Sequence, residues 1–264
     1  MKKPNYFQIN SIVKTFHLIE LLVSQKEFEL TDLNRLLNFT KTTTHRILLT
    51  LKSLGYVEQD KENMPYRASI KFFELGWRVI HNINLIEIAH PYMVELVKEA
   101  DETVNLGILD GLDIICVHKV ESKHILKQDQ PEGSRSKAYY TAFGKAALAF
   151  LPAEELKRLL SEAPIVSSTS KSLKTVKDIE KTLKEIRDLG YSVDDEEFAE
   201  GIRCVGAPIF SHGGKIVAGM SIAGPTVRIK KQGIEHLAKL VMVKAAAISR
   251  RLGGRLPDGS SVAI

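Results

Sequence analysis

The chain has 264 residues, 37 Lys+Arg against 32 Asp+Glu, and a formal charge of +5. A hydrophobic fraction of 44% with 26% charged residues excludes a disordered chain and describes a soluble globular one, long enough for one large or two ordinary domains. No apolar run approaches the roughly 18 residues that a bilayer span needs, so no membrane partner is expected.

Two cysteines, Cys116 and Cys204, stand far apart without a CxxC spacing. That pattern excludes a disulfide framework and fits a reducing cytoplasm. The first ten residues carry two lysines and no apolar h-region, so no signal peptide is expected. The small positive balance suits a polyanionic partner without requiring one.

Ile12, Phe16, Ile19, Leu22 and Val23 recur at helical spacing and predict a first helix over 11–23, with Ser11 as its N-cap. A shorter helix covers 30–37, Asn38 and Phe39 make a turn, and Thr40 caps a third helix that ends at Gly55. Two short helices joined by about four residues, the second opened by a hydroxyl cap, form the helix-turn-helix pattern.

On a helical wheel centred on Ile47, the residues Leu51, Leu54, Thr43 and Thr44 fall on the packing side, with Leu48 at its edge. The other side carries Lys41, Thr42, His45, Arg46, Leu49, Lys52 and Ser53, three of them cations and none a carboxylate. Thr40, Lys41, Thr42, Thr43, His45 and Arg46 are the predicted contacts to phosphates and base edges, with Arg46 placed for a bidentate contact to guanine and Lys52 for the backbone. Leu49 is expected to be neutral.

Residues 56–59 and 65–68 predict a β-hairpin, a wing from which Lys61 and Arg67 touch the DNA backbone. Residues 1–70 hold ten Lys/Arg against seven Asp/Glu; the charge matters because it clusters on one helix face. Phe72, Phe73, Leu75, Trp77 and Val79 then form a dense apolar patch, followed by a second helix beyond a break near 82–84. Trp77 and the two phenylalanines are expected to pack a partner subunit.

From Thr103 the period changes to two. Residues 103–109 and 114–120, joined at 110–113, predict an antiparallel pair, and 132–137 a basic loop. Helices are expected at 142–151, 153–161 and 176–189, a short strand at 190–193, a second hairpin from 204–210 and 215–223, and one last amphipathic helix over 231–252. Strands in two separated pairs, covered by helices, make an α+β sensor-like domain.

Residues 40–57, Phe73-Glu74-Leu75-Gly76, Leu109-Asp110-Gly111 and Thr141-Ala142-Phe143-Gly144-Lys145-Ala146 together resemble the IclR family of bacterial transcriptional regulators. So do residues 190–197, Gly201-Ile202-Arg203-Cys204-Val205, Ala207-Pro208-Ile209-Phe210 and Ser221-Ile222-Ala223-Gly224-Pro225. The order is unbroken from residue 10 to 252, and the resemblance is greatest to the family's KdgR-like members.

The resemblance implies a winged helix-turn-helix in 1–70, a linker helix in 71–84 and a GAF-like effector-binding domain in 85–264. It implies a regulator of operator DNA, a repressor of a carbon-catabolism operon, working as a homodimer or a dimer of dimers without cofactor or metal. A small organic acid or sugar acid, such as ketodeoxygluconate, would be held by the amides of Ala142 and Phe143 with Asp194, Ile202, Cys204 and Ser221. Ala223 stands where the family's small-acid regulators carry a second serine, so a more hydroxylated acid must draw its polar partners from elsewhere.

Two other classes compete. A thiol-dependent enzyme on a GAF-like domain needs Cys116 and Cys204 to meet through the fold. A ligand-free architectural DNA binder needs no pocket. Glu196 and Glu197 read as a solvated charge run before an acid/base pair, and Cys116, His118, Cys204 and His212 lack zinc-ligand spacing.

Overall fold

The computed structural model describes residues 9–61, 63–81 and 85–254, with side chains left out for 77–81. The chain divides into two compact units, residues 1–82 and 83–264.

The first unit holds α1 (Asn10–Leu22), α2 (Leu30–Leu37), α3 (Lys41–Ser53), the strands β1 (Val57–Glu58) and β2 (Arg67–Ala68), and α4 (Lys71–His81). Leu18, Leu22, Phe28, Leu33, Leu48, Leu51, Val57 and Tyr66 close its core. Ile9, not Ser11, precedes α1, and it offers no side-chain cap; Ser11 lies inside the helix, where its carbonyl accepts the Thr15 hydroxyl at 2.8 Å. Asn38 turns the chain between α2 and α3 in the left-handed region, φ 54°, a conformation that asparagine tolerates better than most side chains.

The wing pairs Val57 with Ala68 and Glu58 with Arg67. Phe28 adds an unexpected bridge to Tyr66, which ties the segment after α1 to the wing. Phe72 is half-buried against Tyr56 of its own unit, ring centroids 5.0 Å apart. Phe73 is 63% exposed. The Trp77 side chain and the break near 82–84 lie outside the described residues.

The second unit opens with α5 (Leu85–Ala100) and continues β3 (Thr103–Asp110), β4 (Asp113–Val120), β5 (Arg135–Lys137), α6 (Ala142–Leu148), α7 (Ala153–Glu162), α8 (Val176–Leu189), β6 (Ser192–Asp195), β7 (Ile202–Phe210), β8 (Ile216–Pro225), α9 (Thr226–Gln232) and α10 (Ile234–Arg251). The strands form one antiparallel sheet in the order β5-β4-β3-β8-β7-β6. The two predicted pairs are therefore not separate: β3 and β8 join them, from Thr103 opposite Ala223 to Gly107 opposite Gly219.

Period-two alternation sorts the sheet's side chains to its two faces. Val104, Leu106, Val205, Met220 and Ile222 pack with residues of α5 and α10 in one core; Ile114, Cys116 and Phe143 pack with residues of α7 and α8 in another. Two predictions change. The basic loop at 132–137 contains β5, whose Arg135 and Lys137 pair with Asp113. The last helix starts at Ile234 and not at 231, because Gly233 at φ +88° separates it from α9, a short helix not expected from the sequence.

Candidate functional site

Thr40 accepts the amide of Thr43 at 3.2 Å and so caps α3 as its sequence position suggests. The buried side of α3 is centred nearer Leu48 than Ile47: Thr44, Leu48 and Leu51 are buried, while Leu54 is 53% exposed, not packed. Lys41, Thr42, His45, Arg46, Leu49 and Lys52 are exposed, and Thr43 is half-buried with its hydroxyl 2.9 Å from that of Thr40.

The far end of α3 is closed from three directions. Gly55 takes the left-handed conformation at φ +79°. Ser69 donates its hydroxyl to the Gly55 carbonyl at 2.6 Å, and the Lys71 ammonium donates to the Leu54 carbonyl at 2.7 Å, a cation at the negative helix end. Lys52 donates to the Gln59 side chain at 3.1 Å, joining helix to wing.

Lys61 is exposed at the wing. Arg67 is not presented in the same way: Glu58 accepts at 3.0 Å and Asp60 accepts at 2.7 and 2.9 Å. Its hydrogen bonds hold the Asp60 carboxyl below the usual carboxylate range. Two carboxylates thus occupy the guanidinium within the wing.

In the second unit, strand register brings the pocket residues together. Asp194 is opposite Cys204, and Cys204 is opposite Ala223. The next row on the same face runs Ser192, Gly206, Ser221 and Asn105. Helix α6 lies over these rows. Its first amides, Ala142 and Phe143 among them, have no acceptor one turn back, and Thr141 supplies no side-chain cap.

Ala142, Phe143, Asp194, Cys204 and Ser221 line one small cavity with Asn105, Gln128, Gln130, Thr141 and Phe198. Ile202 packs behind it on Ala142, Cys204 and Ala223. All six predicted effector residues are thus brought together. The cavity measures about 10 Å³, room for no more than one water.

One oxygen of Asp194 accepts the amides of Glu197 at 2.7 Å and Phe198 at 3.2 Å, while the other has no hydrogen-bond partner. Burial pushes this carboxyl up to about 6, against the pull of Lys145 and the two amides. Lys145, itself buried, is ion-paired with Glu197. Burial likewise raises Glu197. The cluster holds two carboxylates and one ammonium, and protonation of one acid would balance it.

The reading of the residues missed Asn105, Gln128 and Gln130. Asn105 is in an alternating strand and was findable as a polar residue on an inward position. Gln128 and Gln130 lie between β4 and β5, and nothing in their local sequence signals burial.

Residues 11–61 match the IclR helix-turn-helix domain, and residues 77–250 match the bacterial transcriptional regulator IclR C-terminal domain. The chain is 34% identical over 252 residues to the HTH-type transcriptional regulator KdgR of Escherichia coli, covering 96% of this chain and 95% of that protein. It is 31% identical over 254 residues to the transcriptional repressor IclR of the same organism, covering 95% and 93%. The crystal structure of Thermotoga maritima IclR superposes with a TM-score of 0.75 at 32% identity, over 93% of this chain and all of that one.

The chain belongs to the IclR family. It is a transcriptional regulator with a helix-turn-helix domain and a mixed α/β effector-binding domain. IclR regulators bind operator DNA and small-molecule effectors, and the relatives are named as regulators, not enzymes.

Thiol chemistry is also disfavoured by the site itself. Burial pushes Cys116 up to about 11 and, with the Asp194 charge beside it, raises Cys204 well above its ordinary range. Both thiols stay protonated at neutral pH and are poor nucleophiles. Among the described residues no three His, Cys, Asp or Glu side chains cluster as metal ligands, and no helix is long and apolar enough to cross a membrane.

Proposed function

We propose that this IclR-family chain is a cytoplasmic repressor of a carbon-catabolism operon, modulated by a small organic acid or sugar acid. Residues 1–70 read the operator, 71–84 link, and 85–264 hold the effector. The observation that carries the effector assignment is the convergence of Asp194, Cys204, Ser221 and the α6 amides on one cavity. Repression follows the role of the E. coli relative, the transcriptional repressor IclR; a sugar-acid effector follows the Ala223 departure and the KdgR-like resemblance of the sequence.

Exposed α3 cations with no carboxylate among them support the reading face, and Thr40, Lys41, Thr42, Thr43, His45, Arg46, Lys52 and Lys61 make up the proposed contact set. Arg67 would have to leave Asp60 and Glu58 to join it. A homodimer through the first unit suits the exposed apolar side chains Ile12, Phe16 and Leu75, and a dimer of dimers would follow through the second.

Arg46→Ala tests the reading helix. Its side chain is exposed, so the variant should fold normally while operator affinity falls by about 1–3 kcal/mol, as for loss of a bidentate base contact. An electrophoretic mobility titration measures it; unchanged operator affinity would remove α3 from the groove.

A further inference from the structure

The cavity has a polar wall that the proposed effector set does not use. Asn105 donates to the Gln128 carbonyl oxygen at 3.0 Å, Gln128 donates to Gln130 at 3.4 Å, and Gln130 donates to the Ser136 hydroxyl at 3.3 Å. All three amides are buried, at 1%, 5% and 4% exposure, and all three line the cavity. The chain of bonds is incomplete at its inner end: the Asn105 carbonyl oxygen is buried with no partner, as is the second Asp194 oxygen. Buried acceptors left open are costly unless something donates to them.

Hydroxyls are the chemistry that fits. Each donates to an open acceptor and accepts from an amide N–H, whereas a carboxylate or ketone oxygen can only accept. Asn105 is fixed on β3 next to Ser221. Gln128 and Gln130 come from the connection between β4 and β5, where Ile125 and Leu126 are exposed and whose Leu126 carbonyl is held by Arg228 at 2.8 Å. The cavity of about 10 Å³ must widen to admit an organic acid, and the two glutamines lie on a connection and not on a strand of the sheet.

We propose that Asn105, Gln128 and Gln130 form a hydroxyl-reading wall that selects a polyhydroxylated acid over short keto acids. Asp194 and Asn105 accept from its hydroxyls, the glutamine amides donate to them, and the carboxylate lies toward the α6 amides. The inference rests on the pocket proposed above and names its ligand class.

The test is calorimetric titration of the full-length protein with ketodeoxygluconate, D-gluconate and pyruvate. The unsubstituted protein should bind at least one of the two hydroxylated acids more tightly than pyruvate. Gln128→Leu should weaken that hydroxylated acid about tenfold or more, the loss of one or more hydrogen bonds, and change pyruvate by less than about twofold. Gln130→Met is the second variant, and circular dichroism melting checks the fold of both.

Equal losses for all acids, no loss in either folded variant, or binding of neither hydroxylated acid by the unsubstituted protein overturns the wall. Ser221→Ala separates this from the underlying reading. If the unsubstituted protein binds and Ser221→Ala binds every probe unchanged, the pocket assignment fails and the wall with it. If Ser221→Ala loses binding while both glutamine variants keep their selectivity, the pocket stands and the wall alone fails.

Discussion

Asp194 shows how one buried residue can serve function against stability. Burial pushes its carboxyl up to about 6, so its ionisation at neutral pH costs the fold on the order of 3 kcal/mol. The sign follows from the direction of the shift. A folded pKa above the unfolded one means that the folded state binds the proton more tightly, so the penalty is full above pH 6 and is relieved as the pH falls toward 4. Asp194→Asn keeps the shape and an acceptor for the Glu197 and Phe198 amides while removing the charge. The variant should be more stable than the parent at pH 7.5, with the gap closing toward pH 4.5, as read from urea midpoints at each pH. A variant less stable at pH 7.5, or a gap independent of pH, would show that Asp194 is not a strained acid. A residue that costs stability and lines a cavity is one whose presence a ligand explains better than packing does.

At the scale of elements, α6 reaches its place because the sheet beneath it lacks side chains. A Cβ at Gly219 would lie 1.9 Å from the Phe143 carbonyl oxygen, and one at the paired Gly107 would lie 2.4 Å from the Phe143 ring. The first contact is with backbone, so nothing flexible can yield. Gly219→Ala should therefore push α6 off the sheet, lowering stability by about 1–3 kcal/mol through overpacking and weakening effector binding together with it, because the Ala142 and Phe143 amides ride on the same turn. Thermal melting and effector titration of the one variant check both. Undiminished stability would mean that α6 sits elsewhere. This contact also marks how much could be read beforehand. The periodic α2 and α8 were legible to the residue, because local spacing decides them. A wheel drawn on α3 points toward Ile47 because Leu54 continues the apolar spacing, although the helix ends at Ser53. The strand β5 was hidden, three residues long and charged, and the burial of Gln128 and Gln130 follows from how a whole connection lies, which no local pattern encodes. The effector set itself came from resemblance to a family; strand register is what shows why Asp194, Cys204 and Ser221 meet.

For the whole molecule, the two units must share a free energy if this is a regulator and not a DNA clamp with a passive appendage. Coupling is reciprocal: whatever factor an effector applies to operator affinity, the operator applies to effector affinity. A differential preference of about 1.4 kcal/mol per site corresponds to about tenfold, and an effector indifferent to the DNA-bound state would shift nothing however tightly it bound. Measured on one sample, effector affinity with saturating operator and operator affinity with saturating effector should change by the same factor, whichever acid from the titrations above is used. Two variants make the comparison selective. Arg46→Ala should leave effector affinity as it is in the DNA-free protein, because Arg46 lies in the first unit and the cavity in the second. Ser221→Ala should leave operator affinity as it is in the effector-free protein, and the operator should then no longer respond to the acid. Effector binding with no matching change in operator affinity would reduce the second unit to a binding module and return the first to an architectural DNA binder.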